Sequence, residues 1–161
     1  MILRRMKNKI KRGITKAYLT MCYKRNIQFG KKLTFRKQFL VEIRENGKII
    51  IGDECFFNNY CSINSFGCIC IGNNCIFGEN VKIYDHNHNF KNKNDLISKS
   101  GYSVGFIKIG NNCWIGTNSV ILKGANIGEG CVIGAGCIID CEIPPFSVVT
   151  MQRELIVRSR K

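Results

Sequence analysis

A chain of 161 residues, 45% of them apolar, is long enough for one domain with its own core and one appendage. Its apolar runs are too short to span a bilayer, and Met1 to Arg25 lacks the apolar block and cleavage site of a secretory signal, so a cytoplasmic location is expected. Of the net charge of +14, residues 1–48 carry +13 (15 basic residues against Glu42 and Glu45) and residues 49–161 only +1, which argues against nucleic-acid binding by the larger part.

Residues 1–48 form a basic N-terminal extension. Ile2, Met6, Ile10, Ile14 and Tyr18 recur every four residues among Arg4, Arg5, Lys7, Lys9, Lys11, Arg12 and Lys16. This spacing predicts a basic amphipathic helix over about residues 2–24. Such a helix suits packing against the body or a neighbouring subunit. Its charge equally suits an anionic surface, such as the inner face of a membrane. Residues 26–48 are expected to lead into the body as irregular strands.

From Ile51 the sequence becomes periodic. IGDECF, FNNYCS and INSFGC begin at Ile51, Phe57 and Ile63; after a two-residue slip, IGNNCI, FGENVK and IYDHNH begin at Ile71, Phe77 and Ile83. From Ile109 the units are IGNNCW, IGTNSV, ILKGAN, IGEGCV, IGAGCI and IDCEIP. All twelve lead positions are Ile or Phe. The fifth position is nearly always small: Cys55, Cys61, Cys75, Val81, Cys113, Ser119, Ala125, Cys131 and Cys137. A helix needs apolar spacing near 3.6 and an ordinary strand needs 2, so a sustained six excludes both. A short strand plus a corner accounts for it, with the bulky lead inside a flat side and the small residue near the corner. Three sides complete one coil of a solenoid. Six of the ten cysteines are thereby explained as small reduced hydrophobes, and no Cys-x-x-Cys metal motif occurs.

The period breaks at length once, over residues 84–107. The break opens with Asp85-His86-Asn87-His88, which holds the only two histidines of the chain. A solenoid that expels a polar loop is a place to look for function. Imidazole titrates where a general base must, and a solvated pair of loop histidines is the alternative. The repeat ends near residue 149, and residues 150–161 form a basic tail.

The pattern over residues 47 to about 149 resembles the hexapeptide-repeat acyltransferases, the family of galactoside, maltose and capsular-polysaccharide O-acetyltransferases. Three stretches carry the resemblance beyond the repeat: NVKIYDHNHNF at 80–90, IKIGNNCWIGTNSVILKGANIGEGCVIGAGCII at 107–139 and EIPPFSVV at 142–149. The resemblance implies a left-handed parallel β-helix over residues 49–149, acetyl-CoA as co-substrate, no metal, and a sugar or glycan acceptor. It also implies a homotrimer with active sites between neighbouring prisms.

The resemblance also carries residue roles. His88 falls on the family's catalytic histidine, with His86 as the alternative. Asn58 matches a position that contacts the acceptor sugar, and a corner-turn role competes. Asp85 suits orienting an imidazole or meeting acceptor hydroxyls, or simply forming a turn. Trp114, in the outward last position of its unit, suits a platform for the pantetheine arm or a subunit contact. Thr117 and Ala135 match positions that line the coenzyme channel, and Arg158 suits its phosphates or a solvated tail. The tail reads TMQRELIV at 150–157, where relatives carry a Gly-x-Pro-Ala-like turn, so the adenine end departs from the family pattern.

The same fold hosts other chemistry. A γ-class carbonic anhydrase needs three zinc-binding histidines, and this chain has two. A serine or xenobiotic acetyltransferase differs only in acceptor, and a non-catalytic scaffold would keep the prism alone.

Overall fold

The computed structural model describes residues 2–152. An N-terminal helix, α1 (Ile2–Tyr23), precedes a prism of parallel strands arranged in three sheets. The first face stacks strands Ile27–Phe29, Lys48–Ile51, Cys68–Ile71, Phe106–Ile109, Asn126–Ile127 and Glu142–Ile143. The second stacks Thr34–Phe35, Phe56–Phe57, Ile76–Phe77, Trp114–Ile115, Val132–Ile133 and Val148–Val149. The third stacks Leu40–Ile43, Ser62–Ser65, Lys82–Tyr84, Val120–Leu122 and Ile138–Ile139. The chain visits the faces in turn, so each coil lies in register on the last: Phe35, Phe57, Phe77, Ile115, Ile133 and Val149 form one column.

All twelve lead residues are buried, and so are all nine small residues at the fifth position. The reason cysteine recurs at that position is visible in its bonding. Cys55 Sγ donates to Gly72 O, Cys75 to Gly110 O, Cys113 to Gly128 O and Cys131 to Pro144 O, each at 3.1 Å. A thiol there is small enough for the corner and satisfies a carbonyl of the next coil. Ser119 does the same with Gly134 O at 3.0 Å. The fourth position carries the corner itself, with positive φ at Glu54, Tyr60, Asn74, Asn80, Asn112, Asn118, Gly124, Gly130 and Gly136. Asn and Gly suit that conformation.

Two features differ from the sequence reading. Stacking begins at Ile27, because Ile27–Phe29, Thr34–Phe35 and Leu40–Ile43 pair in register with the coil above. Residues 27–43 are thus a regular coil, rather than irregular strands. Its inward residues Phe29, Phe35 and Val41 keep the spacing of six, but bulky Leu33 and Phe39 stand where later coils have a small residue, and Lys31, Lys32, Arg36 and Lys37 occupy its corners, so it does not share the pattern of the other units. In α1, the face packed on the first coil is Lys16, Leu19 and Tyr23. Leu19 joins the core, Lys16 Nζ reaches Gly30 O and Tyr23 Oη reaches Val41 O, both at 3.4 Å. Ile14 and Tyr18 of the predicted stripe are instead exposed, together with Met21. No described helix is long and apolar enough to cross a membrane.

Candidate active site

The break in the period is a β-hairpin. His86–His88 pairs antiparallel with Tyr102–Val104, His86 opposite Val104 and His88 opposite Tyr102. It leaves the prism at the corner between the third and first faces, after Tyr84, and rejoins at Phe106.

Asp85 roots the hairpin. Its side chain is fully buried, yet each oxygen is bonded. Oδ1 accepts from Phe66 N at 2.8 Å and lies 3.2 Å from His86 Nδ1; Oδ2 accepts from Ser65 Oγ at 2.7 Å and Gly67 N at 3.0 Å. A buried carboxylate with four partners is tolerated where an unpaired one is not. Asp85 therefore bonds the corner of the coil below while contacting one imidazole. From the coil above, Lys123 Nζ reaches Ser103 Oγ at 2.6 Å and ties down the returning strand.

The two histidines share one face of the strand, because side chains alternate with period 2. His86 is enclosed. Its ring stacks on Phe66 at 3.7 Å between centroids and 13° between planes, meets the edge of Tyr102 at 5.6 Å, and its side chain is only 13% exposed. His88 is exposed and leans on Tyr102 at 4.5 Å. Phe66 and Tyr102 were not identified from the sequence. They lie 20 and 16 residues from His86, so only the folded register brings them together.

The remaining predicted residues lie elsewhere on the prism. Asn58, Thr117 and Ala135 stack at the corner between the second and third faces: a Cβ on Gly78 would meet Thr117, and one on Gly116 would meet Ala135. Asn58 Oδ1 accepts from Arg36 Nη1 at 3.3 Å and Asn59 N at 2.9 Å. Trp114 is 55% exposed on the outer side of the second face, in an apolar column with Phe56, Ile76, Val132 and Val148. One chain therefore holds its histidines at one corner and these residues on the face and corner away from it. Arg158 lies outside the described residues. Among the described residues no group of three His, Cys, Asp or Glu is placed to hold a metal ion.

Comparison with known proteins places this prism of six-residue units among the hexapeptide-repeat transferases. The bacterial transferase hexapeptide family (six repeats) matches residues 106–141. The candidate lipopolysaccharide-biosynthesis O-acetyl transferase WbbJ of Escherichia coli (strain K12) is 30% identical over 138 residues, covering 80% of this chain and 70% of WbbJ. A candidate acetyltransferase of Schizosaccharomyces pombe is 43% identical over 94 residues, covering 56% of this chain and 43% of its own length. The crystal structure of a hexapeptide-repeat-containing acetyltransferase from Vibrio cholerae superposes with a TM-score of 0.69 at 28% identity, covering 83% of this chain and 74% of that one. The same Vibrio protein has been solved with acetyl coenzyme A. The chain belongs to the hexapeptide-repeat acyltransferase family, and it spans less than half the length of its fission-yeast relative.

Proposed function

We propose that this protein is an acetyl-CoA-dependent O-acetyltransferase acting on a hydroxyl of a sugar or glycan. The observation that carries the reading is the hairpin. In an otherwise regular stack, a buried carboxylate anchors an excursion that presents an exposed imidazole, His88. WbbJ, whose name places it in lipopolysaccharide O-acetyl transfer, and the acetyl-CoA complex of the Vibrio protein support the donor and acceptor classes.

In this reading His88 is the general base. It takes the proton of the acceptor hydroxyl as that oxygen attacks the thioester carbonyl; the carbon–sulfur bond breaks, and the proton passes to the departing thiolate. His86 is a positioning residue, because its Nδ1 side is engaged by Asp85 and its ring is stacked on Phe66. Trp114 and its apolar column suit the pantetheine arm, and Thr117 and Ala135 line the same side of the prism. Arg158 remains the proposed contact for the coenzyme phosphates, and Asn58 for the acceptor.

The histidine corner and the Trp114 face point away from each other, so one copy cannot assemble these parts. A homotrimer that sets the hairpin of one prism against the second face of the next would complete the site. The helix α1, basic and with Ile14, Tyr18 and Met21 exposed, suits contact with an anionic membrane surface from the cytoplasmic side.

Thiol release from acetyl-CoA against a panel of sugar acceptors tests the chemistry. Wild-type protein should turn over, His88→Ala should lose about 10²–10⁴-fold in kcat, the usual contribution of a general base, and His86→Ala should act through a lowered stability of the hairpin. Unchanged turnover in His88→Ala would remove the assignment.

A further inference from the structure

Outside the hairpin, the chemistry-bearing residues of the prism are its thiols, and they differ sharply in setting. Cys55, Cys75, Cys113 and Cys131 stack inside and are buried; Cys22 and Cys141 are exposed but isolated from other cysteines. Cys68 and Cys70 alone combine proximity with access among the described cysteines. They alternate with Ile69 and Ile71 along one strand, so the isoleucines point inward and both thiols project from the outer side of the first face. The two Sγ atoms stand 3.7 Å apart, and both residues are half-buried.

We propose that Cys68 and Cys70 form a dithiol clamp for trivalent arsenic, in arsenous acid or an organic arsenous derivative. This inference does not rest on the transferase reading.

Three observations favour this ligand over the other chemistries of paired thiols. The first is span. Two sulfurs bonded to one pyramidal arsenic atom stand well apart, not in S–S contact, and the two Sγ atoms are already 3.7 Å from each other. A direct disulfide would need the sulfurs to close to ~2.05 Å, across a strand repeat of roughly 6.6–6.8 Å at the upper limit of disulfide geometry. The strand is also held in register on both sides, by Lys48–Ile51 and Phe106–Ile109, which resists such a pinch.

The second is charge. Lys48 is the cross-strand neighbour of Cys68, and Lys108 that of Cys70, so the clamp lies between two ammonium groups. They oppose a divalent cation and are indifferent to a neutral arsenous species. The third is protonation. Burial, aided by the bond to Cys68 and its charge, pushes the Cys70 thiol up to about 11, with Lys108 opposing. A thiol that keeps its proton near neutral pH is a poor target for oxidants that need thiolate. Condensation uses that proton. Two As–O bonds break, two As–S bonds form, the two thiol protons leave with the oxygens as water, and no electrons are transferred.

The test uses the full chain, phenylarsine oxide as probe, and N-ethylmaleimide labelling read by intact mass and peptide mapping. Native protein without probe should label at the four thiols that are not fully buried, Cys22, Cys68, Cys70 and Cys141, with Cys70 the slowest because it holds its proton. A single equivalent of probe should protect Cys68 and Cys70, slowing their labelling at least about tenfold, and leave Cys22 and Cys141 unaffected. Excess 2,3-dimercaptopropanol should reverse the protection, and a monothiol at the same thiol concentration should not. Cys68→Ser and Cys70→Ser should each abolish it, with an unchanged far-UV circular dichroism spectrum showing that the prism is intact. Full labelling of Cys68 and Cys70 in the wild type with probe present overturns the proposal. So does retention of monothiol-resistant arsenical by either serine variant.

Discussion

Replacing Asp85 by Asn tests the anchoring of the hairpin most directly, because the change is nearly isosteric and its electrostatic consequence can be traced bond by bond. An Asn carbonyl placed at Oδ1 still accepts from Phe66 N and still faces His86. The amide then occupies the Oδ2 position. Ser65 adapts, since its hydroxyl can accept from the amide and donate instead to Lys48 O, 3.0 Å away. Gly67 N cannot adapt, and a buried donor is left facing a donor. An orphaned buried N–H costs about 1–3 kcal/mol, and losing charge assistance in the remaining bonds costs roughly 1 kcal/mol more, giving about 2–4 kcal/mol. In a solenoid this loss is local, so hydrogen exchange reports it better than a global unfolding midpoint. A peptide spanning Phe66 and Gly67 should exchange about 30- to 700-fold faster in Asp85→Asn than in the wild type, with the coils from Gly110 onward unchanged. Equal exchange in that peptide would refute the clamp, and the hairpin would need another root.

The backbone approach between coils makes a second pair of changes informative. A Cβ on Gly116 would fall 2.6 Å from Ala135 N and 2.8 Å from Ile133 O, both backbone atoms that cannot yield. Gly116→Ala should lower stability by at least about 1–3 kcal/mol, seen as a lower thermal midpoint. Gly13→Ala, in α1 with nothing within 4 Å of the new methyl, should raise helix stability by about 0.5–1 kcal/mol. Cys113→Ser should stay within about 1 kcal/mol of wild type, because Ser119 already makes the equivalent bond, whereas Cys113→Leu should lose roughly 1–3 kcal/mol by overpacking a fully buried corner. Chemical denaturation of the two variants side by side checks the order, and equal losses would argue against the thiol's corner role.

The solenoid was legible because its signal is repeated. A bulky residue every sixth position and a small one four later cannot be produced by helix or sheet packing, and each unit reinforces the next. The first coil was not legible, because residues 27–43 keep the spacing of six at Phe29, Phe35 and Val41 but place bulky Leu33 and Phe39 at the fifth position and basic residues at the corners. The site was legible in its titratable residues and opaque in their surroundings. The histidines and Asp85 stand together in the sequence, whereas Ser65, Phe66, Tyr102 and Lys123 reach them only through stacking of successive coils. The helix misled in a different way. Its four-residue spacing identified an apolar stripe at Ile14 and Tyr18, but the first coil received Leu19 and Tyr23, on a neighbouring stripe that the pattern did not distinguish.

That placement of α1 matters for how copies of the chain avoid one another. The strands of the first coil would otherwise present unpaired backbone groups and an open apolar interior, a template on which a second prism could continue the stack. Leu19 plugs the interior, and Lys16 and Tyr23 occupy carbonyls of that coil. Removing the helix should therefore expose that end of the prism and lead the truncated chain to associate through it, seen as a larger particle in size-exclusion chromatography. Experiments on its positive charge are better made by exchanging Arg4, Arg5, Lys7 and Lys9 for Gln, which leaves Lys16, Leu19 and Tyr23 unchanged.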